Sequence, residues 1–136
     1  MNDMIQPDIE IYVKNLEFEQ LEAWLKKHFV PASVSELSET QTRLHKFQSS
    51  TICLSYEGKA VELSVTPNAA GKAYTSLWFK QNHTPWQDDK SCALDFLADY
   101  DAEVRCSAAG WVEEEPEESE QWWRLTRTHQ TLVRWG

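Results

Sequence analysis

Hydrophobic and polar residues alternate along most of this chain, and the period of the alternation changes at a few defined points. Ile9, Ile11 and Val13 alternate with Glu10 and Tyr12, which predicts a half-buried strand. The period then becomes that of a helix, which we expect to begin after an N-cap at residue 15 and to end before residue 31. The apolar positions of this helix are Phe18, Leu21, Leu25 and Phe29.

A group of strands is predicted in the middle of the chain. Residues 31–41 are rich in Ser, Thr and Glu and predict a loop, and residues 42–48 predict a short strand. Two alternating runs then flank the turn at Glu57 and Gly58, the pattern of a β-hairpin. A further β-rich run follows, so residues 51–80 predict a three-stranded antiparallel meander.

The last third of the chain combines a second helix with further strands. Residues 81–87 predict a loop, and Asp88 is a candidate N-cap for a helix. The apolar positions of that helix are Ala93, Phe96, Leu97 and Tyr100. A short strand is expected around Val104. Residues 121–135 have helical spacing but a heavy load of β-branched residues, and we interpret them as one or two strands.

These elements predict an α+β fold, a two-layer sandwich with a mainly antiparallel sheet and two helices on one face. The two helices lie where a ferredoxin-like βαββαβ core would place them, with extra strands added. A length of 136 residues fits one domain, 1–136. Within it, residues 1–8 are expected to form a loose leader and residues 112–120 an acidic loop.

Composition supports a soluble, self-sufficient core. Hydrophobic residues make up 41% of the chain and seven residues are Trp, so the core can form without disulfides or metal. Cys53, Cys92 and Cys106 are odd in number and widely spaced, which favours free thiols in a reducing compartment. The start of the chain does not resemble a signal peptide, and no apolar run approaches membrane-spanning length. A cytoplasmic location is the resulting expectation.

The charge of the chain is concentrated in one segment. The formal net charge is -9, and six glutamates lie between residues 113 and 120. This acidity argues against binding to nucleic acid or to an anionic membrane, both of which need a basic surface. It permits a basic protein partner, although a run of like charges is also typical of a solvated loop that keeps a protein soluble.

Motifs for common catalytic and cofactor chemistry are absent from the sequence. The four glycines are isolated, so neither a Walker-A loop nor a dinucleotide fingerprint can be built. The four histidines form no short-spaced pair with a Cys or with each other, which gives a zinc site no support. We therefore expect neither a cofactor nor a metal.

One candidate site is a cleft formed by Trp86, Cys92 and Arg105. Cys92 lies about one turn into the second helix, where the helix dipole lowers a thiol pKa. His83 is the candidate base and Arg105 the candidate anion holder of a small thiol-dependent enzyme. In the alternative interpretation these residues are structural. Cys92 is buried, Arg105 forms an internal ion pair, and Trp86 packs as a hydrophobic staple on the first turn of the helix that Asp88 caps. The residues Asp95, Asp99 and Glu103 are expected on the solvated helix face.

The other candidate site joins the acidic loop to nearby aromatics. Its residues are Trp111, Glu113, Glu114, Glu115, Trp122 and Trp123. Aromatic side chains anchor interfaces and carboxylates steer a basic partner, while Trp122 and Trp123, as neighbours on a strand, would point to opposite faces. The expected function is a non-catalytic protein-binding or regulatory module that recognises a basic partner. The alternatives are the thiol-dependent enzyme and a small-ligand-binding domain.

Overall fold

The computed structural model of the chain describes residues 7–69, 73–107 and 121–134. Three helices lie within these residues: Phe18–His28 (α1), Val34–His45 (α2) and Asp89–Asp99 (α3). The strands are Ile9–Lys14 (β1), Val30–Pro31 (β2), Ser50–Tyr56 (β3), Lys59–Thr66 (β4), Tyr74–Phe79 (β5), Val104–Ser107 (β6), Gln121–Leu125 (β7) and Gln130–Arg134 (β8).

All eight strands join one sheet. Their spatial order is β2-β3-β4-β5-β1-β6-β7-β8, and every neighbouring pair is antiparallel. The α+β class and the antiparallel sheet are therefore confirmed, as is the meander, which corresponds to β3, β4 and β5. The central position of β1, between β5 and β6, brings the two ends of the described chain into one layer.

Within the described residues, the helices pack against one face of the sheet. On β1, Ile9, Ile11 and Val13 are fully buried, and they pair with Phe79, Leu77 and Thr75 of β5 on the same face. This face and the apolar sides of the helices form a single core cluster. The opposite face, which we call the open face, carries the alternate residues of each strand. Side-chain alternation thus decides which residues enter the core.

The first helix begins two residues later than the sequence predicts. Asn15 has a left-handed backbone with φ 55, a conformation that Asn tolerates better than most residues, so it forms part of the turn after β1. Glu17 is the N-cap instead, and its N–H donates to Oε1 of Gln20 at 3.2 Å. The predicted N-cap at Asn15 is therefore wrong.

The largest error of the sequence-based prediction concerns α2. Helix α2 occupies the region predicted as a loop (31–41) and a strand (42–48), so the described chain has three helices where two were predicted. Its buried side chains are Leu37 and Thr40, with Leu44 partly buried. The hydroxyl of Thr40 lies 2.8 Å from that of Ser50 on β3. Val34, Leu37 and Leu44 do recur at helical spacing, but the many Ser, Thr and Glu residues around them favoured a loop in the sequence-based prediction.

The end of the chain is a β-hairpin. Strands β7 and β8 pair from Gln121 with Arg134 to Leu125 with Gln130, which confirms the choice of strands over a helix. The β-branched residues that argued against a helix lie in β8 or in the turn between β7 and β8.

The importance of one-sided burial can be tested on α3. Phe96 is fully buried among aromatic rings, whereas Leu94 on the same helix is 37% exposed. We expect Phe96→Ala to lower the free energy of unfolding by about 3–5 kcal/mol because it removes a ring and leaves a cavity. Leu94→Ala, the matched control, should cost less than about 1 kcal/mol. Urea unfolding measures both, and equal losses would contradict the assigned face.

Candidate functional site

The predicted thiol nucleophile lies in the core. Cys92 on α3 is fully buried, and burial raises its pKa well above the ordinary value, with the carboxylates of Asp89 and Asp95 adding to the rise. Cys106 on β6 is also fully buried, and burial raises its pKa to about 12. A reactive cysteine needs solvent access and a lowered pKa, so this environment does not favour nucleophilic chemistry at Cys92.

The structure does not gather the residues of the predicted cleft into one site, although Trp86 and Cys92 both belong to the core cluster. Val104 and Cys106 are buried on the helix side of β6, so Arg105 between them projects to the open face. Trp86 is only 5% exposed and packs in the core, on the other side of the sheet from Arg105. His83 is exposed and its Nδ1 donates to the carbonyl oxygen of Ala60 at 3.2 Å.

The carboxylate of Asp95 contacts several aromatic side chains at the edge of the core. Its carboxylate accepts hydrogen bonds from Nε1 of Trp86 at 2.8 Å and from Nε1 of Trp24 at 3.4 Å. Nε2 of His28 lies 3.1 Å from the same carboxylate. Burial alone would raise the pKa of Asp95, but these donors outweigh it and hold the pKa below its usual value. Asp95 therefore links α1, α3 and the loop before α3, and its predicted place on a purely solvated face is wrong.

The open face carries a cluster of aromatic and charged side chains around β1. Its members are Glu10, Tyr12, Tyr74, Ser76, Trp78, Glu103, Arg105, Trp122 and Arg124. The ring of Trp122 meets that of Tyr12 edge-on at a centroid distance of 5.5 Å. Trp78 is 38% exposed, and its Nε1 donates to Oδ2 of Asp8 at 2.8 Å. Aromatic rings held in this way present a preorganised contact surface.

Glu103 cross-links the open face. One oxygen, Oε2, accepts hydrogen bonds from the hydroxyl of Tyr74 at 2.6 Å and from Nε of Arg105 at 3.0 Å. The same oxygen forms ion pairs with Nη2 of Arg105 at 3.0 Å and with Nε of Arg124 at 3.2 Å. Burial would raise the pKa of Glu103, but the Tyr74 and arginine contacts outweigh it and keep the pKa below its usual value. The carboxylate therefore stays ionised and holds β5, β6 and β7 in register.

The two tyrosines of the open face remain protonated at neutral pH. Burial raises the pKa of Tyr74 to about 12, with Glu103 adding to the effect. Burial and the nearby carboxylate of Glu10 raise the pKa of Tyr12 to about 12. Both phenols are therefore hydrogen-bond donors and apolar surface at neutral pH, which suits recognition better than proton abstraction.

Of the predicted binding residues, Trp122 and Trp123 lie within the described chain and project to opposite faces, as expected. Trp122 is on the open face, whereas Trp123 pairs with Cys106 on the helix side and packs against the core. Nζ of Lys90 lies 3.9 Å from the centroid of a Trp123 ring, a cation–π contact. Trp111, Glu113, Glu114 and Glu115 lie outside the described residues.

Sequence reasoning missed a cleft between α3 and the β7–β8 turn. The cleft has a volume of about 410 Å³ and combines the apolar side chains Leu94 and Leu97 with Arg127 and His129. Nε of Arg127 donates to the carbonyl oxygen of Leu97 at 2.9 Å, near the end of α3, where a cation is favourable. The cleft depends on how the hairpin folds back on the helix, a contact between residues far apart in sequence.

Two further observations concern the described residues alone. Within residues 7–69, 73–107 and 121–134, no group of three or more His, Cys, Asp or Glu side chains is arranged to hold a metal ion. None of the helices in this part of the chain combines the length and the apolar character needed to cross a bilayer.

Comparisons with known proteins add no relative. The chain matched none of the known protein families, curated proteins or solved structures with which it was compared. Its own residues therefore carry the functional argument.

Asp89 has the most unusual acidity of the described carboxylates. It lies at the start of α3, is 9% exposed, and accepts a hydrogen bond from the N–H of Glu10 at 2.9 Å. Burial raises its pKa to about 7, with Asp8, Glu10 and Asp88 adding to the rise. The burial of Asp89 under β1 follows from tertiary packing.

This acidity makes stability depend on pH. Because the pKa is raised on folding, the folded state holds an extra proton between about pH 4 and about pH 7, and Asp89's contribution to stability falls as pH rises through that window. Asp89→Asn keeps an oxygen for the Glu10 N–H and removes the titration. We expect the variant's stability relative to the parent chain to be greater at about pH 8 than at about pH 4. Urea unfolding at both values measures this. An equal change in exposed Asp101→Asn would mean that overall charge, and not burial, is responsible.

Thiol labelling tests the buried cysteines. We expect iodoacetamide to modify exposed Cys53 first, and Cys92 and Cys106 more than about 100-fold more slowly, because they react only after local unfolding. Mass spectrometry of timed samples gives the three rates, and Cys53→Ser isolates the slow pair. Rapid modification of Cys92 below neutral pH would contradict this environment and revive the nucleophile hypothesis.

Proposed function

We propose that this protein is a non-catalytic protein-binding or regulatory module that recognises a basic partner. The observation that carries the proposal is the aromatic surface of the open face, where Trp78 is exposed and Tyr12 and Trp122 are half-buried. Interfaces are enriched in Trp, Tyr and Arg, and a few such residues supply most of the binding energy.

Preorganisation of this surface supports the proposal. Glu103 fixes Tyr74, Arg105 and Arg124, and Glu10 accepts a hydrogen bond from the hydroxyl of Ser76 at 2.9 Å. Side chains already held by their neighbours lose little conformational freedom when a partner binds. The open face can thus act as a rigid platform on the scaffold of the sheet.

The acidic segment supplies the preference for a basic partner. Residues 108–120 connect β6 to β7, and the flanking pair Ser107 and Trp122 lies at one end of the open face. In this proposal Glu113, Glu114 and Glu115 raise the rate of encounter with a basic partner, and Trp111 joins the aromatic contacts. The partner binds to Trp122 on the open face, and Trp123 supports the strand from the core side.

Two finer points belong to the same proposal. The first is that the core is ferredoxin-like. Strands β5 and β6 support this assignment, since they run parallel to each other with β1 between them and are connected through α3. The second is that the protein works in a reducing compartment, the cytoplasm, supported by three free cysteines, of which one is exposed.

A charge-matched comparison tests the proposal. After the partner is recovered from the native host, its affinity is measured for the parent chain and for Glu113→Gln, Glu114→Gln and Glu115→Gln combined. We expect a loss of about tenfold at low salt and a weaker dependence on salt. The control combines Glu19→Gln, Glu39→Gln and Glu57→Gln, which removes the same charge from exposed positions elsewhere.

A second pair of variants tests the aromatic surface itself. Trp122→Ser should weaken binding by at least about tenfold, since it removes an anchor ring. Phe47→Ser removes another aromatic side chain, 70% exposed and away from the open face, and should leave affinity unchanged. Circular dichroism checks that both variants fold. Equal affinities for all of these variants would refute the proposal.

A small-ligand-binding domain remains a second candidate, favoured by the cleft beside α3. Arg127 and His129 provide polar groups next to the apolar side chains of Leu94 and Leu97, the usual composition of a ligand site. A metabolite mixture that raises the melting temperature would support this candidate, and Arg127→Ala would then reduce the shift. The thiol-dependent enzyme gains no support from the environment of Cys92.

A further inference from the structure

The two edges of the sheet are treated differently. At one edge, β2 contains Pro31, which has no N–H to offer. Beside it, the N–H of Cys53 on β3 donates to Oε1 of Glu36 at 2.9 Å, and the carbonyl oxygen of Cys53 accepts from the N–H of Ala32 at 2.9 Å. Helix α2 and the β2 segment therefore protect this edge against pairing with another chain.

Strand β8 forms the other edge and has no such protection in the described chain. The N–H of Thr126 donates to the carbonyl oxygen of His129 at 2.9 Å, which determines which residues of the hairpin exchange backbone hydrogen bonds. Thr131 and Val133 therefore exchange backbone hydrogen bonds with β7. The N–H and C=O groups of Gln130 and Leu132 point away from β7. The strand contains neither Pro nor Lys, and Leu132 is 49% exposed.

We propose that β8 pairs with β8 of a second copy of this chain, forming a continuous sheet across a two-fold axis at Leu132. This register is self-complementary because Gln130, Leu132 and Arg134 share the same orientation along the strand. Each Leu132 N–H donates to the carbonyl oxygen of Leu132 in the second copy. The proposal concerns an edge of the sheet and is independent of the function proposed for the open face.

The side chains suit this occupant. At the two-fold axis each exposed Leu132 packs against its copy, on the same side of the sheet as Trp123. Gln130 lies opposite Arg134 of the second copy, and Thr131 lies opposite Val133, so no like charges face each other directly. The pairing thus covers the exposed apolar residue of this edge and matches β-branched residues across it.

The strength of the contact follows from its size and charge. A strand of five residues gives a contact at the small end of specific interfaces, so the dimer should be weak and concentration-dependent. Each copy carries a net charge of -9, and these like charges oppose association. Salt should therefore strengthen the dimer by screening them.

Sedimentation equilibrium of the full chain tests the proposal. We expect the mass to rise toward that of a dimer between about 5 µM and about 500 µM, and to rise further at higher salt. Leu132→Lys places two ammonium groups at the axis and should weaken the dimer at least about tenfold. Val30→Lys, the control, puts the same charge on a 66% exposed residue at the opposite edge and should have no effect.

A second variant removes the backbone donor. Leu132→Pro lacks the N–H that points away from β7, so it blocks the new pairing and leaves the hydrogen bonds of the β7–β8 hairpin in place. Hydrogen exchange of the Leu132 amide should slow as concentration rises. The proposal is overturned if the chain stays monomeric throughout, if the dimer tolerates both variants, or if the amide is already protected in the monomer, since another segment would then cover the edge.

Discussion

The structure depends on the one-sided burial of its sheet. Because β1 is central and its Ile9, Ile11 and Val13 face the helices, alternation assigns every other strand residue to the core or to the open face. A shift of one residue in register would bury Glu10 and Tyr12 and expose three aliphatic side chains. The same constraint separates Cys92 from Arg105, because the helix and the arginine lie on different sides of the sheet.

Carboxylates then fix the layers against one another, and burial alone does not determine how each one titrates. Asp95 and Glu103 each receive several strong donors, so their pKa values stay below the ordinary range in spite of partial burial. Burial raises the pKa of Asp89 to about 7, and the neighbouring acids Asp8, Glu10 and Asp88 add to the rise. The balance between burial, neighbouring charges and hydrogen-bond donors therefore decides whether the stabilising contribution of a buried carboxylate persists near neutral pH or falls as pH rises.

The sequence predicts those elements whose buried stripe is wide and apolar. Phe18, Leu21 and Leu25 identify α1, and Val61, Leu63 and Val65 identify β4, because burial there repeats with a single period. Helix α2 escapes prediction since Thr40 takes a core position through a hydroxyl contact with Ser50. The candidate sites fare worse than the fold. The roles of Asp95 and Glu103 depend in part on donors far away in sequence, such as Trp24 for Asp95 and Tyr74 for Glu103, and periodicity carries no information about such contacts.

The adjacent Trp122 and Trp123 connect the two proposed surfaces without merging them. Trp122 belongs to the open face, whereas Trp123 lies across β7–β8 from Leu132, next to the edge proposed for self-association. The negative charge of the chain acts on these surfaces in opposite directions: it attracts a basic partner and repels a second copy. Ionic strength therefore separates the two processes, since screening weakens the first and strengthens the second. A chain with one net charge can in this way favour partner binding at low salt and pairing with itself at high salt.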